Sequence, residues 1–471
     1  MVASSLGPPP LAVPHPRRWA ALVLLCAANF MIILDSQIVI LALPAISADL
    51  AMSPASAQWV LSANLLAFGG LLLLGGRAAD LLGRRRMFLV GTALFLAISL
   101  LSGFAWSAGV LIAARALHGV SAALMAPTAL AILTDAFPDG PDRHKALAGW
   151  AGIASFGAVT GLLAGGALTE LGWQWVFLVN VPVALIMLVL APVLLPESRD
   201  RDQPRTFDLA GAATSTGALV LLLYAIVLVP TAGWLSTRTL ALLAGAIVLL
   251  AAFVAIESRS KAPLVPLHLF RSRSLVGGNL AMLAVGMLPF GLSVTMSQYA
   301  QTFLGLSAWD FGLRQVVMPL SATIGAYAGH ALVTRWGVRA VAGAGMVAMA
   351  AGALLLLITV AAGQWRLDTF AGLAVFGAGM GVATVAAATA ALAGVQRAHA
   401  GLASGLNTAA LQSGGGFGVA VVVTVIASFS TIATGDEGGY RAGFIACAVI
   451  ALVTLAITWT LLRSRPTADI D

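Results

Sequence analysis

The sequence predicts an all-α polytopic membrane protein of fourteen transmembrane helices. Three observations predict it: the composition, the number of long apolar runs, and the alternation of basic residues between successive loops. Of the 471 residues, 60% are apolar and only 9% are charged, whereas soluble domains carry roughly 25% charged residues. A membrane-crossing helix needs about 20 consecutive, mostly apolar residues. This balance excludes a soluble enzyme, a disordered chain and a disulfide scaffold. It leaves membrane enzymes, receptors, channels and transporters open.

Apolar runs long enough to cross a bilayer begin near Trp19, Ala57, Met87, Ala108, Ala146, Val176, Asp208, Arg238, Leu275, Trp309, Ala340, Thr369, Gly401 and Arg441. The first is preceded by a Pro-rich tail with no apolar stretch of its own. The run from Trp19 to Leu43 is too long for a secretory signal, so it reads as a retained span. Polar stretches divide the rest. The chain is expected to comprise a tail at 1–18, six spans at 19–195, a linker at 196–207, a pair of spans at 208–257, a linker at 258–274, six spans at 275–463 and a tail at 464–471. The two cysteines, Cys26 and Cys447, lie inside apolar runs with neither redox nor metal-ligand spacing.

Charge tests this count. Twenty of the 25 Lys and Arg fall in alternate loops or termini that share one face, among them Arg84, Arg85, Arg86, Arg143, Lys145, Arg199, Arg201, Arg205, Arg271 and Arg273. The opposite face holds Arg238, Arg366 and Arg441. A miscounted span would scramble the alternation from that point onward. The positive-inside rule then places both termini in the cytoplasm. It also accounts for the net charge of +7 without a nucleic-acid partner.

Ionisable groups inside the hydrocarbon cost at least a few kcal/mol each, so they mark either function or deliberate pairing. Asp35 is the only acid well inside a span; Arg115 and His118 lie in span four, and His330 in span ten. Span one leaves the membrane near Pro44 and span four enters from the same side near Ser107. At 1.5 Å per residue, Asp35 and Arg115 both lie about 12 to 14 Å below that boundary. His118, three residues after Arg115, shares its helix face. Burial and a neighbouring Arg pull the proton affinity of an acid in opposite directions. Two readings stand: a fixed ion pair, or a titratable group poised between these effects. The histidines are either neutral core residues or further cavity and coupling groups.

Small residues recur at four-residue spacing, most clearly Gly157, Gly161, Gly165 and Gly166 in span five. Such stripes let helix backbones approach closely. No HExxH, Walker A or GxSxG segment is present, so neither an enzyme activity nor a metal or other cofactor is expected.

The loop from Gly76 to Arg86, GRAADLLGRRR, resembles the signature between spans two and three of the major facilitator superfamily. Gly83 suits a tight turn, Asp80 a helix-end ion pair, and the Arg cluster a cytoplasmic position. Further segments resemble the fourteen-span drug:proton antiporter branch: LDSQIVILALP from Leu34 to Pro44, Arg115 with His118-Gly119, GWQWVFLVNVP from Gly172 to Pro182, and the Gly-rich segments at Ala400–Gly405 and Gly414–Gly416. The likeness runs from about Trp19 to Arg463. His118 stands where the branch usually has Gln, Gln174 where it has Arg, Leu162 where span five has Pro, and Leu411 where a basic residue is common.

The resemblance implies two six-helix bundles, with spans seven and eight inserted between them. It implies a proton-coupled exporter of small hydrophobic compounds such as antibiotics, working by alternating access in the plasma membrane as a monomer, with the bilayer, substrate and protons as its partners. Asp35 and Arg115 would carry the proton coupling. Gly76, Asp80, Gly83, Arg84 and Arg85 would form a cytoplasmic gate loop, and the span-five glycines a packing motif. A same-fold exporter or importer of one metabolite, and a non-transporting sensor, are the alternatives.

Overall fold

The computed structural model describes residues 17–138, 140–198, 208–260, 263–362, 365–396, 399–430 and 435–462. Most of both expected tails, and the linker positions Arg199, Arg201 and Arg205, lie outside the described residues. Among the described residues the structure is helical and contains no strand. A helix satisfies its own backbone hydrogen bonds, as a segment crossing hydrocarbon must.

The helices are α1 (Arg18–Asp49), α2 (Pro54–Leu82), α3 (Arg84–Gly103), α4 (Ala108–Ala136), α5 (Pro141–Leu171), α6 (Trp175–Leu194), α7 (Leu209–Ala232), α8 (Thr237–Arg259), α9 (Arg273–Gln298), α10 (308–336), α11 (338–362), α12 (Leu367–Leu392), α13 (Ala400–Phe429) and α14 (Gly435–Leu461). Their starts are written in the sequence. Ser53, Ser107, Ser236, Ser272 and Ser307 each accept the N–H three residues on, and Asp208 accepts that of Gly211 at 2.7 Å. These caps satisfy N–H groups that the first turn leaves unpaired.

Among the described residues thirteen apolar helical stretches are long enough to cross a membrane, and one of them, Ala308–Ile358, comprises two helices that reverse direction. The helical run Val317–Ala362 contains 46 residues, about 69 Å of α-helix against a hydrocarbon core of about 30 Å. It reverses at Gly337, whose φ of 78° and ψ of 160° suit glycine. The packing on α12 shows the reversal. Gly325 and Gly329 meet Ala378 and Val382 in parallel order, whereas Gly345 and Gly352 meet Gly379 and Phe376 in antiparallel order. Counted as two helices on either side of Gly337, this run brings the membrane-capable helices among the described residues to fourteen, the number of apolar runs in the sequence. Gly83, with φ 112°, makes the corresponding turn between α2 and α3.

α1–α6 pack on one another, as do α9–α14. The two groups meet where α2 lies along α13 and where α5 meets the start of α10. α7 fills the outer seam between α2 and α13. Leu223 and Val227 join Leu66, Phe417 and Ala420 there, and Thr424 Oγ1 donates to the Ile226 carbonyl at 3.3 Å. α8 packs on α7 and turns Ile247, Val248 and Val254 outward.

Glycine positions allow a sharp packing test. A methyl group on Gly381 would collide with the Ala322 carbonyl of α10, whereas one on Gly149 of α5 would meet open space. We expect Gly381→Ala to lose about 1–3 kcal/mol through overpacking. Gly149→Ala should be neutral or gain up to about 1 kcal/mol from helix propensity. Thermal unfolding of the two purified variants in detergent checks the opposite signs.

Candidate functional site

The buried acid sits near the middle of α1. Along one side of α1 runs the small-residue stripe of α5: Gly157 lies against Phe30 and Ile33, Gly161 against Leu34 and Gln37, and Gly165 against Ile38. Gly166 turns to the other group of helices and touches Ala308 and Trp309. Leu162, which stands where the branch has Pro, leaves α5 helical from Pro141 to Leu171.

On its other side α1 meets α4, and here the predicted residues come together. Arg115 Nη1 donates to Asp35 Oδ2 at 2.7 Å, and Nε donates to the Val60 carbonyl at 3.0 Å. His118 Nδ1 lies 3.2 Å from the same Asp35 oxygen and 3.0 Å from Arg115 Nη1. It faces an acceptor and a donor at once. Protonated, Nδ1 donates to Asp35; bare, it accepts from Arg115. Asp35, Arg115 and His118 are each no more than 2% exposed. Buried charges at such depth persist when paired and hydrogen-bonded, as these are.

Residues that the sequence reading passed over complete the cluster. Asn180, at the start of the longer segment of α6, donates to Asp35 Oδ1 at 3.4 Å. Ser99 lies 3.2 Å from His118 Nε2, and Phe95 stacks on the imidazole at 4.3 Å. The Arg115 guanidinium lies 5.8 Å from the centre of the Phe177 ring. The signals were faint: a lone Asn in span six and one of three hydroxyl residues in span three. His330, weighed as a core residue, is instead exposed on the outer face of α10. It occupies the side of the helix that also turns Ile324 and Tyr327 outward.

Between the two helix groups lies a cavity of about 1120 Å³. Its mouth is at the face bearing Arg77, Asp80 and Arg84, and its wall includes Ser36, Gln37 and Ile40 of α1, Phe290 and Ser293 of α9, and Leu411 of α13. Asp35, Arg115 and His118 are not among its lining residues; they lie behind the α1 wall. His118 thus joins the charge cluster rather than the cavity surface.

The far end of the cavity is closed. Pro44 has no N–H to offer the Ile40 carbonyl four residues before it, so that oxygen is free for an outside donor. Ser297 Oγ of α9 donates to it at 3.1 Å, and Gln301 Nε2 donates to the Leu41 carbonyl at 3.1 Å and to Ser297 Oγ at 2.9 Å. Beside this closure, the N–H of Trp309 reaches Glu170 Oε1 at 3.3 Å, and Gly312 abuts Leu162 and Leu41.

At the mouth, the expected gate loop ties four helix ends together. Arg84 donates to Asp80 at 2.9 Å and also pairs with Asp135 at the end of α4. The Arg85 N–H donates to Glu197 just beyond α6 at 3.2 Å, and its Nη1 donates to the Leu195 carbonyl at 3.3 Å. Gly76 lines the cavity. The close approach of α2 to α4 belongs to its neighbour Gly75, where a methyl group would collide with the Ala123 carbonyl.

With this geometry in place, comparison with known proteins is decisive. The family model of the Major Facilitator Superfamily matches residues 25–419 and 275–470. The chain belongs to this superfamily. It is accordingly a multi-pass membrane protein of a transporter family and not an enzyme. The chain is 38% identical over 466 residues to the cephamycin export protein CmcT of Amycolatopsis lactamdurans, covering 95% of this chain and 93% of that one. It is 36% identical over 472 residues to the puromycin resistance protein pur8 of Streptomyces alboniger, covering 97% and 93%. Among solved structures, the POT family transporter PepTSo superposes with a TM-score of 0.69 at 14% identity, covering 96% of this chain and all of the other, a likeness of fold.

The charge cluster makes a stability prediction. Arg115→Met strands the Asp35 carboxylate and is expected to cost about 3–5 kcal/mol. The double variant Asp35→Asn/Arg115→Met should recover most of that loss. Thermal unfolding of the single and double variants provides the measurement. A double variant no more stable than Arg115→Met would show that the pair is not what compensates the charge.

Proposed function

We propose that this protein is a proton-driven exporter of small, largely hydrophobic compounds, of the antibiotic or drug type. It would work by alternating access in the plasma membrane, with both termini cytoplasmic and the monomer as the functional unit. One observation carries the reading: a closed-ended cavity between the two helix groups, with a buried acid pair immediately behind one wall. The export and resistance roles in the names of the relatives support the direction of transport. The concentration of Lys and Arg at the cavity mouth supports a cytoplasmic placement of that face.

Within two turns, α1 carries the acid, a cavity wall and the outer closure. Asp35 faces α4, Gln37 lines the cavity, and the Ile40 and Leu41 carbonyls hold α9. In the proposed cycle a proton reaching Asp35 removes its negative charge. Arg115 then keeps the Val60 carbonyl and a bare His118 Nδ1 as acceptors, so the guanidinium is not stranded. That proton is taken up from outside, after substrate bound in the cytoplasm-open state has shifted α1 against the α5 glycines, parted the closure at Ser297 and Gln301 and left. Loss of the Asp35–Arg115 attraction then lets α1 return and the closure re-form, and release of the proton to the cytoplasm restores the pair. Coupling requires the two states to differ in proton affinity, which is how a ligand shifts a conformational equilibrium.

Asp35→Asn keeps the size of the side chain and removes its titration. In proteoliposomes it is expected to retain substrate binding and gradient-free substrate exchange, and to lose proton-driven efflux by at least about tenfold, one power of ten being about 1.4 kcal/mol. Uncoupler-resistant efflux at the wild-type rate in that variant would refute the proton role. Separately, Ser297→Ala/Gln301→Ala should loosen the outer closure. A cysteine placed at Ser293 should then react faster with an impermeant thiol reagent added from outside.

A further inference from the structure

The cavity wall sorts its chemistry by depth. Among the described residues that line it, the ionisable side chains are Arg77, Asp80, Arg84, Asp208 and His399, all at helix ends on the basic face. Several are engaged locally. Arg84 holds Asp80, Asp208 caps α7, and the His399 ring stands edge-on to His268 at 5.6 Å. Deeper in, Phe68, Phe290 and Met318 supply aromatic and thioether surface, while Gln37, Ser293 and Gln412 supply amides and a hydroxyl. The Asp35–Arg115 pair lies behind this wall, and its opposite charges cancel at a distance.

Ser293 is held in a particular way. Gln315, fully buried in α10, donates from Nε2 to Ser293 Oγ at 3.3 Å. The oxygen therefore already accepts, and its hydrogen is left to donate toward the cavity. Gln37 offers both a donor and an acceptor from the opposite helix group, and its Cβ is set by contact with Gly161. These groups match carbonyl, hydroxyl or ether oxygens on an otherwise apolar molecule. When the mouth closes, a charged solute would lose its water and gain no counter-charge from this deep wall, a transfer that is strongly unfavourable.

We infer that the cavity selects electrically neutral amphiphiles, aromatic compounds bearing oxygen acceptors, over cations and anions of the same size. Given the exporter reading above, on which this second step rests, exchange of such a solute for protons is electrogenic. Each proton that enters against a neutral molecule leaving carries one uncompensated positive charge inward. Membrane potential then drives efflux without any pH difference.

Two measurements on the full-length protein test the inference and keep it apart from the exporter reading. The first is binding in detergent, using dansylamide, which is uncharged at neutral pH, its trimethylammonium analogue and a sulfonate analogue. The neutral probe should bind at least about tenfold more tightly than either ion. Gln37→Glu should raise affinity for the cation about tenfold through a nearby opposite charge. Equal or tighter binding of an ion by the wild-type protein overturns the charge selection whether or not the protein exports. The second is flux in proteoliposomes with equal pH on both sides and a potassium-diffusion potential, negative at the basic face. Dansylamide should be driven away from that face. If a pH gradient drives the probe and the potential does not, the electrogenic step is refuted and export stands. If neither gradient drives it, the exporter reading fails and takes the electrogenic step with it, while the binding result still decides the charge selection.

Discussion

A carboxylate at Asp35, buried at membrane depth, is the constraint around which the first six helices are arranged. Water is absent there, so compensation must come from the protein. Arg115 supplies the counter-charge, and both groups then need hydrogen-bond partners. Asn180 from α6 serves the acid, the Val60 carbonyl from α2 serves the guanidinium, and His118, steadied by Ser99 and Phe95 of α3, touches both. Four helices thus place a group on one ion pair, and α3 reaches it through His118. The cluster is a structural demand of its own, and it is also a place, deep within the first six helices, where a proton could alter charge between two packed helices. The proposed cycle uses both roles.

Close packing makes the cluster consequential. The α5 stripe lets the side chains of α1 lie against backbone, so α5 offers few protruding groups on that side to lock α1 in position. The opposite constraint comes from Pro44. By withholding one N–H it releases the Ile40 carbonyl, which binds across to α9. A helix that lies on a smooth neighbour along one face and is hydrogen-bonded through its own backbone on another is suited to discrete displacement. The same economy recurs on the other side of the molecule, where Gly377 and Gly381 of α12 meet carbonyls of α10.

Much of this was legible in the sequence because membranes simplify the code. Fourteen crossings followed from apolar runs and basic alternation, even though the tenth and eleventh helices form one helical run that turns back at Gly337. Equal depth, a purely arithmetic property, brought Asp35 and Arg115 together on paper, and the structure places them 2.7 Å apart. The remainder depended on tertiary approach. Asn180 and Ser99 look like ordinary polar residues until α3 and α6 fold over α4. Of the adjacent Gly75 and Gly76, only the helix crossing decides which meets a backbone. His330 resembled His118 as a lone histidine in a span, yet helical phase turned it outward beside Tyr327. The Leu162 departure suggested a weakened motif, but its neighbouring glycines still carry the packing against α1.

The separation of acid and cavity has a consequence for how the two ligands of the proposed cycle communicate. Were the titrating group in the cavity wall, substrate and proton could compete for one site by direct displacement. Here Asp35 and the lining residue Gln37 are two positions apart on α1 and face different neighbours. Direct competition is geometrically excluded in this conformation, so communication must pass through the position of the helix. Such coupling needs no chemical match between proton site and substrate. It requires only that the substrate bind one position of α1 better than the other. A wall of aromatic, thioether and amide groups is adaptable enough to do this for compounds of different shape. In the proposed cycle, breadth of substrate and strictness of proton coupling are then compatible, because different faces of one helix would carry them.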